Sequence, residues 1–227
     1  MQGTVGLFLV TYVLLGTAVP VYLHYIEHGV YNPVHISLAF FLPLNMLICY
    51  FEMALGMYID KIKVDYKAQS KVWRGKEVDS IIDFFYTPLT LGQLASPRYW
   101  TRVWSTYSLY DPSYSNMESF GFFVDVSNGW CFMLPSALFL YSMTYGPPSF
   151  MNIRTLACIG LVSFWVMMHG TCIYFLSFFF NGRHKRLSAQ EVALFIGGSN
   201  GLWFVFPLVG VYVCYDMIQT NSFDVVR

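Results

Sequence analysis

Two carboxylates sit inside apolar runs of this chain. They are Glu52 in "LNMLICYFEMALGMY" and Asp125 in "FGFFVDVSNGWCF". A charged side chain at mid-membrane costs at least ~2.5 kcal/mol, so an acid placed there needs a partner or a cavity. As a pair, two such groups can handle protons, one donating while the other accepts. Other polar residues recur at helical spacing around them. Asn45 precedes Glu52 by seven positions, Asn128 follows Asp125 by three, and Asn200 precedes Trp203 by three in "GGSNGLWFVFP". Each spacing keeps its pair on one helix face. His169 lies in the middle of a further apolar run, with Thr171 near it on another face. Three helices that each present a polar stripe imply a bundle with an internal polar pocket. The alternative is that these groups bond one another as interhelical ties.

The elements that must hold these residues are membrane helices. The 227 residues are 56% hydrophobic and 11% charged, against about 25% charge in an ordinary soluble domain. Five apolar stretches, at about 5–23, 36–59, 120–144, 156–180 and 191–218, each reach the ~20 residues that cross a hydrocarbon core. They are too long and too continuous for transmembrane strands, which run about 10 residues with alternating polarity. The expectation is therefore an all-α, five-helix integral membrane bundle forming a single domain over 1–227, with its core at 36–218. Residues 60–119 form an excursion between the second and third spans, basic first and then aromatic, suited to the membrane interface. "DPSY" at Asp111–Tyr114 reads as a turn before the third span. The first stretch lacks a basic leader and is read as a retained span that kinks or ends at Pro20.

Charge sets the expected orientation. With five crossings, eleven of the thirteen basic residues, from Lys61 to Arg102 and from Arg183 to Arg186, share one side with the N-terminus. Only Arg154 and Arg227 fall opposite. The positive-inside rule puts the N-terminus and the 60–119 excursion on the cytosolic side, or the matrix side in a mitochondrion. The five cysteines all lie inside expected spans without a CxxC pair, and read as buried thiols. No metal or cofactor site is expected, and nothing points to a nucleic acid. "HYIEHGVYNPVH" gives His24 and His28 the helical spacing of metal ligands. Gly29 and Pro33 make that stretch a loop, so a solvated interfacial cluster is expected instead. "FFFNGRHKR" carries a basic run that could hold a lipid phosphate, and a loop that sets topology explains it as well.

Over most of residues 36–207 the chain resembles the emopamil-binding protein family, the sterol double-bond isomerases of the EXPERA group, which also contains the sigma-2 receptor. "ISLAFFLPLNMLICYFE" is similar to the family's second span, ending on its intramembrane acid at Glu52. "VWSTYSLYDPSY" resembles the W-x-x-Y-x-x-x-D-x-x-Y stretch through Trp104, Tyr107, Asp111 and Tyr114, and Asp125 stands where the second catalytic carboxylate follows. "HGTCIYF" is similar to G-x-x-x-Y-F through Gly170, Tyr174 and Phe175, and "NGLWFVFP" to N-x-L-W-x-V-x-P through Asn200 and Trp203. The resemblance implies a proton added to a sterol ring double bond and another removed from a neighbouring carbon. Glu52, Asp125, Asn200 and Trp203 would be the catalytic set. Asn200 would orient an acid or a water, and Trp203 would face the carbocation. Asn45, Tyr107, Tyr114, Asn128, His169 and Tyr174 would line the ligand. It also implies the endoplasmic reticulum, with the mitochondrial inner membrane as the alternative.

Three departures qualify what the resemblance implies. The family's histidine one turn before the acid is Ile48 here, the second acid is Asp125 rather than Glu, and Tyr-Gly-Asp reads His169-Gly170-Thr171. A reach error of about 1 Å can cost on the order of 100-fold in rate. Three expectations follow: an isomerase with an altered proton relay, a non-catalytic member that binds sterol or another membrane lipid, and a structural subunit among the protein partners of a membrane complex.

Overall fold

The computed structural model describes residues 3–227. Helix α1 (Val5–His28) starts under the Thr4 hydroxyl, which accepts the Leu7 N–H at 3.2 Å. It runs through Pro20 and closes where Gly29 turns left-handed and donates its N–H to the Tyr25 carbonyl. The expected end near residue 23 is therefore helix interior. Helix α2 (Pro33–Met57) follows at once, with Asn32 Oδ1 accepting from Val34 and His35 and with Pro33 at the first position, where no N–H is needed.

The excursion is helical and folds back on the bundle. It comprises α3 (Ile59–Trp73), α4 (Glu77–Tyr86), α5 (Leu91–Leu94), α6 (Pro97–Tyr110) and α7 (Ser113–Asn116). Helix α6 packs on both α3 and α2, α4 packs on α1, and an ion pair between Arg102 and Asp83 joins α6 to α4. A two-residue strand β1 (Gly3–Thr4) pairs antiparallel with β2 (Pro88–Leu89), pinning the start of the chain to the excursion. "DPSY" opens the short α7 rather than a plain turn.

The expected third span is broken. Helix α8 (Phe120–Cys131) and helix α9 (Met133–Tyr145) meet at 53°. Pro135 supplies the reason: without an N–H it cannot reach back to the Cys131 carbonyl, so the ladder fails at Phe132. Helix α10 (Ile153–Phe180) is continuous from its Asn152 cap. After a 3-10 turn at Arg183–Arg186, a Ser188–Glu191 capping box starts α11 (Ala189–Glu191). A π-helical stretch, Val192–Gly198, leads into α12 (Ser199–Thr220), and the three make one apolar rod.

Four helices are long and apolar enough to cross a membrane, and the bent α8–α9 pair would make a fifth. This is the build of a multi-pass integral membrane protein. Helices α2 and α10 are enclosed, with 56% and 44% of their apolar windows buried, whereas α1 and the last rod are peripheral. Burial falls into two clusters. One gathers Phe41, Phe139, Phe164 and Met217 among α2, α9, α10 and α12. The other gathers Phe51, Trp100, Trp104, Tyr114 and Tyr174 where the excursion meets α2 and α10. The cavity described next lies between them.

Candidate functional site

Helices α2, α6, α8, α10 and α12 surround one cavity of about 250 Å³. Glu52, Asp125, Asn200 and Trp203 all line it, together with Tyr107, Asn128 and Tyr174. Its remaining wall is mainly apolar, including Ile48, Phe51, Trp104 and Met167. The convergence begins with backbone packing. A Cβ on Gly129 would stand 2.7 Å from the Met53 nitrogen and 2.8 Å from Glu52 Cβ, so α8 lies directly on α2 at the turn that carries the acid. Asp125, one helical turn before Gly129, is thereby brought to the same cavity as Glu52.

The two acids are held differently. Asp125 Oδ2 accepts the Tyr114 hydroxyl at 2.7 Å. Glu52 is buried, 4% exposed, and its Oε2 has no hydrogen-bond partner among the described residues. Trp104 donates its indole N–H to the Phe51 carbonyl at 2.6 Å and stacks on Tyr114 at 5.4 Å, tying the excursion to the Glu52 turn. Burial raises the Tyr107 and Tyr114 phenols above the ordinary tyrosine range, so both remain hydroxyl donors at neutral pH.

Asn45 does not line the cavity. It lies beneath Trp203, accepting the indole N–H at 2.7 Å and donating to Ser136 Oγ at 3.0 Å, so one amide joins α2, α12 and α9. This leaves the Trp203 ring on the wall with its N–H engaged elsewhere. Asn200 donates to the Tyr107 hydroxyl at 3.3 Å and to the Ile196 carbonyl at 2.8 Å. Its amide is thus bonded to a phenol and a backbone oxygen rather than to either acid. Tyr114 also stands behind the lining, where it acts on Asp125.

A second layer braces the tyrosines. The Tyr107 and Tyr174 hydroxyls are 2.7 Å apart, and Tyr174 donates to Asp111 Oδ2 at 3.3 Å. Arg183 closes this network at 2.6 Å from the same Oδ2 and 2.8 Å from Ser177 Oγ. No local pattern announced that pair, because its members lie 72 positions apart and Arg183 read as part of a topology-setting loop. The apolar lining was equally illegible, since a helix that is apolar all round does not mark its cavity face.

Three expectations change. His169 is exposed on the outer surface of α10, stacked on Trp165 at 5.8 Å, and is not part of the inner wall. The histidine-rich stretch is not a solvated loop. His24 and His28 belong to α1, His35 to α2, and His24 and His35 are both 1% exposed, with rings 3.7 Å apart. The turn is short enough that the helix ends stack their imidazoles on each other. Among the described residues no group of three His, Cys, Asp or Glu could hold a metal ion. Of the free cysteines, Cys49 and Cys214 are buried, while Cys131 and Cys158 face outward, contrary to the expectation of uniform burial.

Comparison of the chain with protein-family models, with curated proteins and with solved structures finds no match. The cavity offers two carboxylates, one of them with a free oxygen, inside aromatic walls. No histidine lines it, and Ile48 stands one turn before Glu52. A neutral, ring-bearing apolar ligand suits such walls, and proton exchange with it is the reaction that carboxylates can perform.

Proposed function

We propose that this membrane protein binds a sterol-class lipid in the cavity between α2, α8, α10 and α12 and moves a ring double bond by proton transfer. One observation carries the proposal: Glu52 and Asp125 open onto the same apolar cavity, with the Trp203 ring on its wall. In the proposed step, a protonated Glu52 adds its proton to one alkene carbon and leaves a tertiary cation on the ring. Asp125, as carboxylate, removes a proton from the carbon next to that cation, and the electron pair of the broken C–H bond becomes the new double bond. Atoms and charge balance, and the proton then passes back between the acids before the next turnover. An aromatic face stabilises a desolvated cation by about 2 kcal/mol. Trp203 lines the cavity and would serve this end, with Asn45 accepting its indole N–H. The resemblance to the sterol isomerases of the EXPERA group points to the same chemistry.

A second reading is a non-catalytic lipid-binding or structural subunit of a membrane complex. The observation that favours it is the absence of any imidazole from the wall, with Ile48 where the family it resembles has histidine. One experiment separates the two. The chain is expressed in yeast lacking its own sterol isomerase, and the sterols are identified by mass spectrometry. Restored double-bond migration that Glu52→Gln abolishes supports the isomerase. Folded protein that leaves the substrate unmoved excludes it, and co-purification of a stoichiometric lipid or of partner subunits then supports the second reading.

A further inference from the structure

Three histidines meet where α1 turns into α2, and the inner cavity uses none of them. The apolar run from Val5 to Leu23 covers about 28 Å of helix, close to the hydrocarbon thickness, so His24 and His28 stand past its end. This corner is at the opposite end of α1 from β1 and the excursion. The His24 ring stacks on His35 at 3.7 Å and lies 4.6 Å from the ring of His28. His24 and His35 are buried, and the Nε2 of each has no hydrogen-bond partner among the described residues. Facing the pair are His28, Arg227 and the Val226 backbone on the C-terminal turn, and the Thr144 hydroxyl of α9, 3.5 Å from His24 Nδ1. Among the described residues no carboxylate, Glu27 and Asp224 included, comes within ion-pair distance of an imidazole.

The same corner anchors the C-terminal turn. Asn32, which caps α2 through Oδ1, donates from Nδ2 to the Val225 carbonyl at 3.2 Å and the Arg227 carbonyl at 3.3 Å. Phe223 and Val226 are buried in the cluster that holds Phe41 and Met217. Asn32 and His35 share the first turn of α2, so a movement that separates the stacked rings also moves the anchor.

We infer that the stacked imidazoles are a latch that closes only when uncharged and that acid opens, releasing the C-terminal turn. Protonation makes both nitrogens of an imidazole donors. Each buried Nε2 would then carry an N–H with no acceptor, and two cations would face each other with Arg227 beside them and no counter-charge. His28 behaves differently. Its Nε2 donates to the Thr144 carbonyl at 2.8 Å, and that bond survives protonation at Nδ1. The open corner binds protons that the closed one refuses. Its closed state therefore weakens as pH falls below ~6.5, where a free imidazole takes up its proton. Helix α12, which carries Trp203, ends on this turn, yet nothing in the latch depends on chemistry in the inner cavity.

The test is hydrogen–deuterium exchange of the full chain in phosphatidylcholine nanodiscs near pH 7.5 and near pH 5.5. Labelling times are scaled for the intrinsic pH dependence of exchange. Over about that interval, each imidazole that is neutral when closed and free to titrate when open lowers protection about tenfold. Peptides from residues 20–36 and 217–227 of the wild type should therefore lose protection about a hundredfold, reversibly, while peptides from residues 156–178 of α10 hold theirs. His35→Phe keeps a stacked ring and removes one of the two protons, so its loss should be about tenfold. With His24→Phe added, the loss should be no more than about threefold. The single variant decides the matter if the double variant fails to fold. Equal corner protection at both pH values, a loss shared equally by α10, or the full wild-type loss in folded His35→Phe would overturn the inference.

Discussion

Asp111 and Glu52 are both buried carboxylates, and their surroundings are opposites. Asp111 is fully enclosed by donors. Arg183 and Tyr174 reach Oδ2, while the Ser113 N–H and hydroxyl reach Oδ1 at 3.2 and 2.6 Å. Glu52 is nearly as buried, yet one of its oxygens is left free beside a cavity. The difference separates two uses of the same functional group. A carboxylate that braces a fold is saturated by the chain, because any unmet lone pair would cost stability. On the proposed function, Glu52 keeps its unmet oxygen for a ligand, and the cost of keeping it is carried by packing elsewhere.

The largest effect should come from breaking the saturated acid. Asp111→Asn leaves the Arg183 guanidinium, itself largely buried, without its counter-charge; removing one partner of such a pair costs about 3–5 kcal/mol. Thermal melting of the detergent-solubilised chain, followed by size-exclusion fluorescence, should show a marked fall or no folded peak. A melt unchanged from wild type would remove Asp111 from its bracing position and with it the contrast. Next in size is Gly129→Ala. The added carbon meets the α2 backbone at 2.7 Å, so the two helices must part; overpacking of this kind costs about 1–3 kcal/mol. The variant should melt lower and lose any lipid-directed activity together, because the wedge also separates Glu52 from Asp125.

These two positions show what could be read from sequence. The apolar runs and their approximate limits were legible, because about 20 apolar residues have few other uses. The break at Phe132 was not expected, although Pro135 was in view, since continuous hydrophobicity outweighed one proline. Gly29 and Pro33 favour a loop in the sequence, yet they only cap α1 and start α2, whose ends stack His24 on His35. The intramembrane polar residues stand out by type against the apolar runs, but which way each faces is not encoded locally. His169 and Thr171 sit in the same apolar run. Thr171 turns inward to the Trp203 carbonyl at 3.3 Å, and His169 turns out. Nothing in an all-apolar helix distinguishes a face toward lipid from one toward a cavity. Long-range partnerships such as Asp111 with Arg183 are set by the fold and leave no mark on the residues nearby.

The smallest change in stability belongs to Glu52→Gln, and it is the most informative. Glutamine keeps the volume and one carbonyl oxygen, removes the cost of holding an acid in an apolar place, and breaks no ion pair, because none involves Glu52 among the described residues. The melt should move by less than about 1 kcal/mol in equivalent free energy, toward stabilisation. Measured alongside Asp111→Asn on the same preparation, it tests the contrast directly. If the two amide variants destabilise alike, Glu52 is a second brace whose partner escapes the geometry described above, and the free oxygen loses its meaning. If Glu52→Gln melts at or above wild type while lipid turnover or retention falls, the unmet oxygen is held for the ligand. That pairing of gained stability with lost function is what an acid reserved for chemistry should produce, and a bracing acid cannot produce it.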